Sequence, residues 1–374
     1  MKFLIAINVA ALTFTVLLVQ PLATPAVGQL SKEELLSDTE NAYNPIPSPD
    51  GRMIAYVRTG RWEKGSGGLG RSNLRSEVMI MDSDGRILTE KPLADAFLAG
   101  WTPDGKNLIC YRDYQAFLVS PDGTRSKSVQ IPKGPDFITE RAGYVSSLDA
   151  IVWVQNGFAG PAGPTSSILA SGKEIANRAS YLGEMLVASP DGRYIAAVHV
   201  DTWNDQQLMV YDIQNKSWTN LGNAIAHPDV VRKSSSDWDW MKAFWNPWSV
   251  DGSHLVFAQS SSIIISTPDG KGRQVITTQA GAIGLATASP DGNLIAYATF
   301  NAKPHKERPD LIFWGDTTIW VVPAIPQAKP HPVTRPSPDT TLCLRWLNNR
   351  EIVFDRMPDQ PFSENARLWK VRVD

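Results

Sequence analysis

Few groups in this 374-residue chain could carry chemistry: five histidines, two cysteines, and tryptophans set beside charged residues among a total of thirteen. His199, His227 and His305 are the metal-ligand candidates, because neutral imidazoles brought together can hold a divalent cation. No two histidines are closely spaced and no glutamine obviously joins the three. Solvated loop side chains are therefore the ordinary alternative reading. Arg61-Trp62-Glu63-Lys64 stands before the glycine stretch Gly65–Gly70. A second cluster holds His227, Arg232, Lys233 and Asp237-Trp238-Asp239-Trp240; a third holds Lys303, His305, Lys306, Arg308, Asp310 and Trp314. Tryptophan beside arginine and aspartate is the composition of protein-interface hot spots and of sugar-stacking platforms, though the same side chains can pin a long loop. Arg61, Trp62, His227, Trp238, Trp240, His305 and Trp314 are the candidate ligand-binding residues. The glycine stretch has no following Lys-Ser/Thr and no helix, so it is not a phosphate loop.

The elements that must position these residues are repeats. Ser48-Pro-Asp-Gly51, Thr102-Pro-Asp-Gly105, Ser189-Pro-Asp-Gly192, Ser249-Val-Asp-Gly252 and Ser289-Pro-Asp-Gly292 recur, each before an apolar strand-like run such as Met53-Ile-Ala-Tyr56 or Leu294-Ile-Ala-Tyr297. Degenerate copies at Ser147-Leu-Asp149 and Asn348-Asn349 fill the gaps. The Asp or Asn markers at 50, 104, 149, 191, 251, 291 and 349 are about 50 residues apart on average, a propeller-blade spacing rather than a helical-solenoid one. In each phrase Pro pre-sets φ, Asp accepts local N–H bonds, and Gly supplies the positive φ that returns the next strand. A second hairpin follows most copies, as at Val78–Gly85, Phe117–Gly123 and Ile263–Gly270. Each repeat is thus a four-stranded antiparallel sheet, which must stack on its neighbours around an axis. Seven markers imply an all-β, seven-bladed β-propeller, rather than one of six or eight blades.

After Ile352-Val-Phe354 and Arg367–Val371 the last repeat lacks room for a fourth strand before Asp374. Part of Leu35 to Tyr43 is expected to supply it. The alternative is a three-stranded blade with a partly helical N-terminal segment, given the helical character of Lys32-Glu-Glu-Leu-Leu.

From about Asn44 to the end, the (Ser/Thr)-Pro-Asp-Gly phrase, strand and Asp-Gly hairpin resemble the TolB-like family of propellers with PD40 (WD40-like) repeats. The resemblance departs from TolB proper, whose additional α/β domain has no counterpart here, so TolB's role in the cell-envelope complex does not transfer. It extends to the propellers of prolyl-oligopeptidase-like enzymes. These need a hydrolase domain with a Gly-x-Ser-x-Gly turn; neither is present, which excludes a serine peptidase. It also extends to oligogalacturonate lyases, which resemblance would imply a manganese-type site of histidines plus a glutamine.

Naming the strands of a blade A to D from the axis outward, the A–B and C–D turns share one face and are short. The long segments fall on the other: Thr59–Arg75, Asn156–Thr165, Asn301–Gly315 and Met357–Asn365 as B–C loops, and Asn223–Lys242 as the D–A connection from blade four to blade five. This elaborated face is the expected binding face, since function concentrates on loops mounted over a rigid scaffold. It carries His199, His227 and His305, while His254 and His331 lie elsewhere. Trp101, Trp245, Trp248 and Trp346 precede or enter the repeated turns and are expected to pack blades. Cys110 in blade two and Cys343 in the inner strand of blade seven are separated by blade one, so two buried thiols are expected rather than a disulfide.

Composition sets the compartment. Lys2, the apolar run Phe3–Val19, a break at Gln20-Pro21 and small residues at Ala26-Val27-Gly28 read as a secretory signal cleaved after residue 28, with a retained anchor as the alternative. Residues 29–43 then form an N-terminal segment and 44–374 the propeller. Removing Lys2 leaves 35 basic against 38 acidic residues, a net −3. A near-neutral chain lacks the basic excess that drives phosphate-backbone binding, so nucleic acid is not an expected partner. The expectation is a monomeric, exported, periplasmic or extracellular propeller with no cofactor and no membrane span. It would bind a protein or glycan of the cell envelope. The alternative is a metal-dependent polysaccharide lyase-like enzyme using His199, His227 and His305.

Overall fold

The computed structural model describes residues 31–36, 41–59, 76–89, 91–112, 115–131, 142–158, 164–178, 182–202, 205–224, 246–259, 262–277, 282–304, 312–358 and 365–373. These form seven antiparallel sheets, the blades of a propeller. Blade one runs Ala42–Pro47, Met53–Thr59, Ser76–Asp82, Ala94–Asp95 from the axis outward. Blades two, three, four and six begin at the inner strands Phe97–Trp101, Ala142–Val145, Leu182–Ala188 and Ala282–Ala288. In blade five three strands, Leu255–Gln259, Ser262–Ser266 and Gln274–Thr277, are complete. Its inner position is held by a bridge between Trp248 and Leu255 and by the Val256 N–H donating to the Pro247 carbonyl at 2.7 Å.

Blade seven closes the ring. Its strands Leu344–Asn348, Glu351–Arg356 and Arg367–Arg372 come from the C-terminus, and its outermost strand is Glu33–Leu35. That strand begins at Glu33, earlier than the Leu35–Tyr43 span the sequence suggests, and Ala42 onward belongs to the inner strand of blade one. Lys32–Leu36 has helix-forming composition yet is extended. Edge pairing to Trp369–Val371 and a Glu33–Arg356 ion pair at 2.6 Å outweigh a local preference worth a few tenths of a kcal/mol per residue.

The core lies between blades. Seven clusters of buried apolar residues occupy the seven seams, and strand period assigns each side chain to its cluster. In blade one, Ile54, Tyr56, Met79 and Met81 pack against Leu347, Val353 and Leu368 of blade seven. Their alternate neighbours Ala55, Val57, Val78 and Ile80 pack against Leu98, Leu108 and Phe117 of blade two. Both faces of every blade are therefore consumed, as stacking around an axis requires.

The repeated turns are tied by their own side chains. Ser48 Oγ donates to Asp50 Oδ1 at 2.6 Å and accepts from the Met53 N–H at 3.0 Å, and the Gly51 N–H donates to the Ser48 carbonyl at 2.8 Å. The same pattern holds at Thr102, Ser189, Ser249 and Ser289. Hydroxyl and backbone donors hold the carboxyls of Asp50, Asp104, Asp251 and Asp291 below the usual range, Asp251 at about 2. Gly51, at φ +69°, also lies under blade seven, where an added Cβ would stand 2.4 Å from the Leu347 carbonyl oxygen; Gly292, at φ +73°, would meet nothing within 4 Å. Gly292→Ala is expected to cost about 1 kcal/mol for the backbone alone. Gly51→Ala is expected to cost about 3 kcal/mol, because the seam must also shift. Equal denaturation midpoints for the two variants would remove the seam contact from this account.

Residues 1–30, where the sequence places the signal, lie outside the described residues. Among the described residues no helix is long and apolar enough to cross a membrane.

Candidate functional site

The inner strands surround an axial cavity of about 320 Å³, which runs toward the face of the repeated turns. That volume is at the lower end of small-molecule pockets. Its wall is mostly apolar, with Pro49, Pro103, Pro190 and Pro290 of the turns at one end and Trp101, Trp248 and Trp346 between the strands.

The three tryptophans are staples, each with the same geometry. Each stands three residues before its turn Asp or Asn. Its indole N–H donates to the previous blade, to the carbonyl of the residue four before that blade's Asp: Trp101 to Ile46 at 2.9 Å, Trp248 to Val187 at 3.0 Å, Trp346 to Thr287 at 3.1 Å. The receiving blades carry Pro47, Ala188 and Ala288 where the donors carry tryptophan, so large and small residues alternate at these seams. Buried indole N–H groups need such partners, and with them the rings offer only apolar surface to the cavity. Blade packing, the role expected for Trp101, Trp248 and Trp346, is what the structure shows. Trp245 lies outside the described residues.

Behind the cavity wall, where blade seven meets blade one, Asp355 is fully buried. Its Oδ1 accepts the N–H groups of Leu342 (2.7 Å) and Cys343 (2.9 Å), and its Oδ2 accepts the N–H of Asn44 (3.0 Å). Burial pushes its carboxyl up to about 6, against the opposing pull of those donors. Asn44 sits at φ +53°, and its Nδ2 donates to the Leu98 carbonyl at 3.1 Å, so three blades meet at this residue. Both cysteines are buried free thiols, pushed up to about 12 by burial. Cys343 lies just before the inner strand rather than in it, and its Sγ approaches the Pro45 carbonyl at 3.4 Å.

One wall residue carries a charge. Arg345, in the inner strand of blade seven, is half-buried and lines the cavity. Its Nη1 donates to the Leu344 carbonyl at 2.9 Å.

The sequence-expected site residues fall differently. His199 is described; it is buried in the second strand of blade four (Tyr194–Thr202), opposite Leu182 on one side and Gln207 on the other. His254 lies on the turn face and His331 in an outer strand, where burial lowers its pKa. Arg61, Trp62, His227, Trp238, Trp240 and His305 lie outside the described residues. Trp314 is in a strand, paired with Ala302. The expected loop Asn301–Gly315 is in this respect a correction: blade six's Leu294–Pro304 and Ile312–Pro323 stay paired out to Pro304 opposite Ile312. Alternation along Phe300–Pro304 and Ile312–Trp314 is too irregular to announce a ladder, and cross-strand pairing supplies it. Among the described residues no three His, Cys, Asp or Glu side chains are grouped to hold a metal ion. Asp355 and Arg345 were not marked by motif. Arg345 had a signal nonetheless: of the residues four before the seven turn markers, it alone is charged.

No family model and no curated protein matches this sequence. Among solved structures, an oligogalacturonate lyase in complex with manganese aligns with a TM-score of 0.58 at 13% identity, over 92% of this chain and 93% of that one. An oligogalacturonate lyase from Vibrio parahaemolyticus aligns with 0.58 at 11%, over 92% and 94%. The β-propeller domain of Cps50 (Swd1) from Myceliophteria thermophila aligns with 0.55 at 11%, over 89% and 98%. At these identities the likeness is one of fold. The chain is a seven-bladed β-propeller of four-stranded antiparallel blades.

Proposed function

We propose that this chain is an exported, non-catalytic binding propeller, acting in the periplasm or outside the cell. It takes a protein or glycan partner on the face built by the B–C and D–A connections. The observation that carries this reading is the paired arm of blade six. Its B and C strands are 11 and 12 residues long, against 5 and 5 in blade two. At about 3.3 Å per residue the arm reaches roughly 20 Å further along the strand direction. It carries Trp314 in its ladder, with His305 just beyond its paired end. The repeated turns of the opposite face spend their polar groups on themselves. A paired arm carrying a tryptophan, together with Arg61, Trp62, His227, Trp238 and Trp240 in the sequence of the B–C and D–A connections, suits recognition by aromatic anchors with adjacent charges.

The test is binding of the mature protein to an envelope-protein fraction and to a glycan array. Wild type is expected to bind saturably. Trp238→Ala/Trp240→Ala and Trp314→Ala are each expected to weaken binding at least about tenfold with an unchanged melting midpoint. Undiminished binding by both variants would overturn the assignment of this face. Manganese-dependent cleavage of polygalacturonate, lost on His227→Ala, would replace it with the lyase reading.

A further inference from the structure

The axial cavity is lined by a guanidinium, that of Arg345, which no carboxylate among the described residues neutralises. Aligned on the turn markers, the residues of the other six blades at this level are Ile46, Gly100, Val145, Val187, Pro247 and Thr287; blade seven has Arg345. Ring closure does not call for a charge there, since the seam to blade one is already held by Asp355 and the Leu347 cluster, and the seam to blade six by the Trp346 staple. Several other partly buried arginines have carboxylate partners: Arg58 pairs with Glu77, Arg112 with Asp95 and Arg356 with Glu33. Among the described residues Arg345 has only its backbone contact, and no carboxylate pairs with it. It is the one charged side chain among the described residues lining the cavity.

We propose that the axial cavity is a binding site for a small organic carboxylate with a flat apolar body, its carboxylate on the Arg345 guanidinium and its body against the Trp101, Trp248 and Trp346 wall. A guanidinium matches a carboxylate with two parallel N–H bonds, and a low-dielectric wall strengthens the pair. The indole N–H groups are already committed to neighbouring blades, so the three rings offer the ligand apolar contact and no competing donor. The site is independent of the partner face proposed above.

Calorimetric titration of the mature protein with phenylacetate and with its neutral isostere phenylacetamide tests this. In wild type, phenylacetate is expected to bind saturably and at least tenfold more tightly than phenylacetamide. Arg345→Gln is expected to lower phenylacetate to the level of the amide while leaving amide binding unchanged, a split that a general folding defect would not produce. Equal binding of acid and amide by wild type would overturn the proposal, as would no saturable binding of either. Full phenylacetate affinity in Arg345→Gln would do so too, and so would loss of that affinity in Trp238→Ala/Trp240→Ala with the melting midpoint retained, since the ligand would then sit on the other face. Glu184, in the inner strand of blade four, is the other acidic or basic residue on an inner strand. If Glu184→Gln alone creates carboxylate binding that wild type lacks, Arg345 serves as its counter-ion and the proposal fails.

Discussion

Asp355→Ala is expected to destabilise the propeller by at least about 3 kcal/mol and to loosen its closing seam. The substitution strands three buried backbone N–H groups, those of Asn44, Leu342 and Cys343, each costing about 1–3 kcal/mol when left unpaired. It also removes a polar link between blades seven and one. The effect depends on pH in a direction opposite to most carboxylates. Burial raises Asp355 from 3.8 to about 6, so folding favours its protonated form. That contribution is fully present below about pH 4 and is lost as pH rises through 6. Wild type should therefore gain from this group on mild acidification, and Asp355→Ala should not. The penalty for the substitution is expected to be roughly 1 kcal/mol larger at pH 5 than at pH 8. Chemical denaturation of both proteins at the two pH values measures it; a penalty that shrinks on acidification would refute the protonated, buried carboxyl.

The second large effect concerns closure by the N-terminal strand. A chain lacking residues 29–36 is expected to lose at least about 5 kcal/mol. Arg356 is partly buried against the rings of Phe354 and Trp369 and neutralised by Glu33 at 2.6 Å, and stripping the partner from a largely buried ion pair costs up to about 3–5 kcal/mol. Leu36, 6% exposed, leaves the seam cluster with it, a further 1.5–3 kcal/mol, approximately. Arg367–Arg372 then becomes an open edge, and unpaired edges recruit other chains. The expected readings are a lowered denaturation midpoint and concentration-dependent association on size exclusion. Glu33→Ala isolates the ion pair and should show the first without the second. A truncated protein that stays monomeric with the wild-type midpoint would show that blade seven closes without this strand.

How much of this was legible beforehand follows from what each feature depends on. The turn phrase is local: Ser, Pro, Asp and Gly act on one another within six residues, so the seven markers could be read directly, and all seven stand at A–B turns. Strand alternation is local too, and it sends Ile54–Val57 and Val78–Met81 alternately to two seams. Closure was only partly readable, because Lys32–Leu36 looks helical by itself and is extended only through its pairing with Trp369–Val371. The paired arm of blade six was hidden for the same reason, its ladder being a property of two segments and of neither alone. Of the candidate binding residues named from composition only Trp314 is described, in the ladder of blade six, whereas the axial cavity is lined by inner strands and turns that looked purely structural.

By itself, then, the sequence determined the count of blades, the turn chemistry, the class of fold and the identity of the packing tryptophans, since these follow from patterns repeated within one blade. Tertiary structure decided where the ring is closed, that Asp355 spends its carboxyl on three backbone groups from two blades, and that Arg345 lines an apolar cavity. Those three depend on distances between residues up to some three hundred positions apart, as between Asn44 and Asp355, and no periodicity within a repeat encodes them.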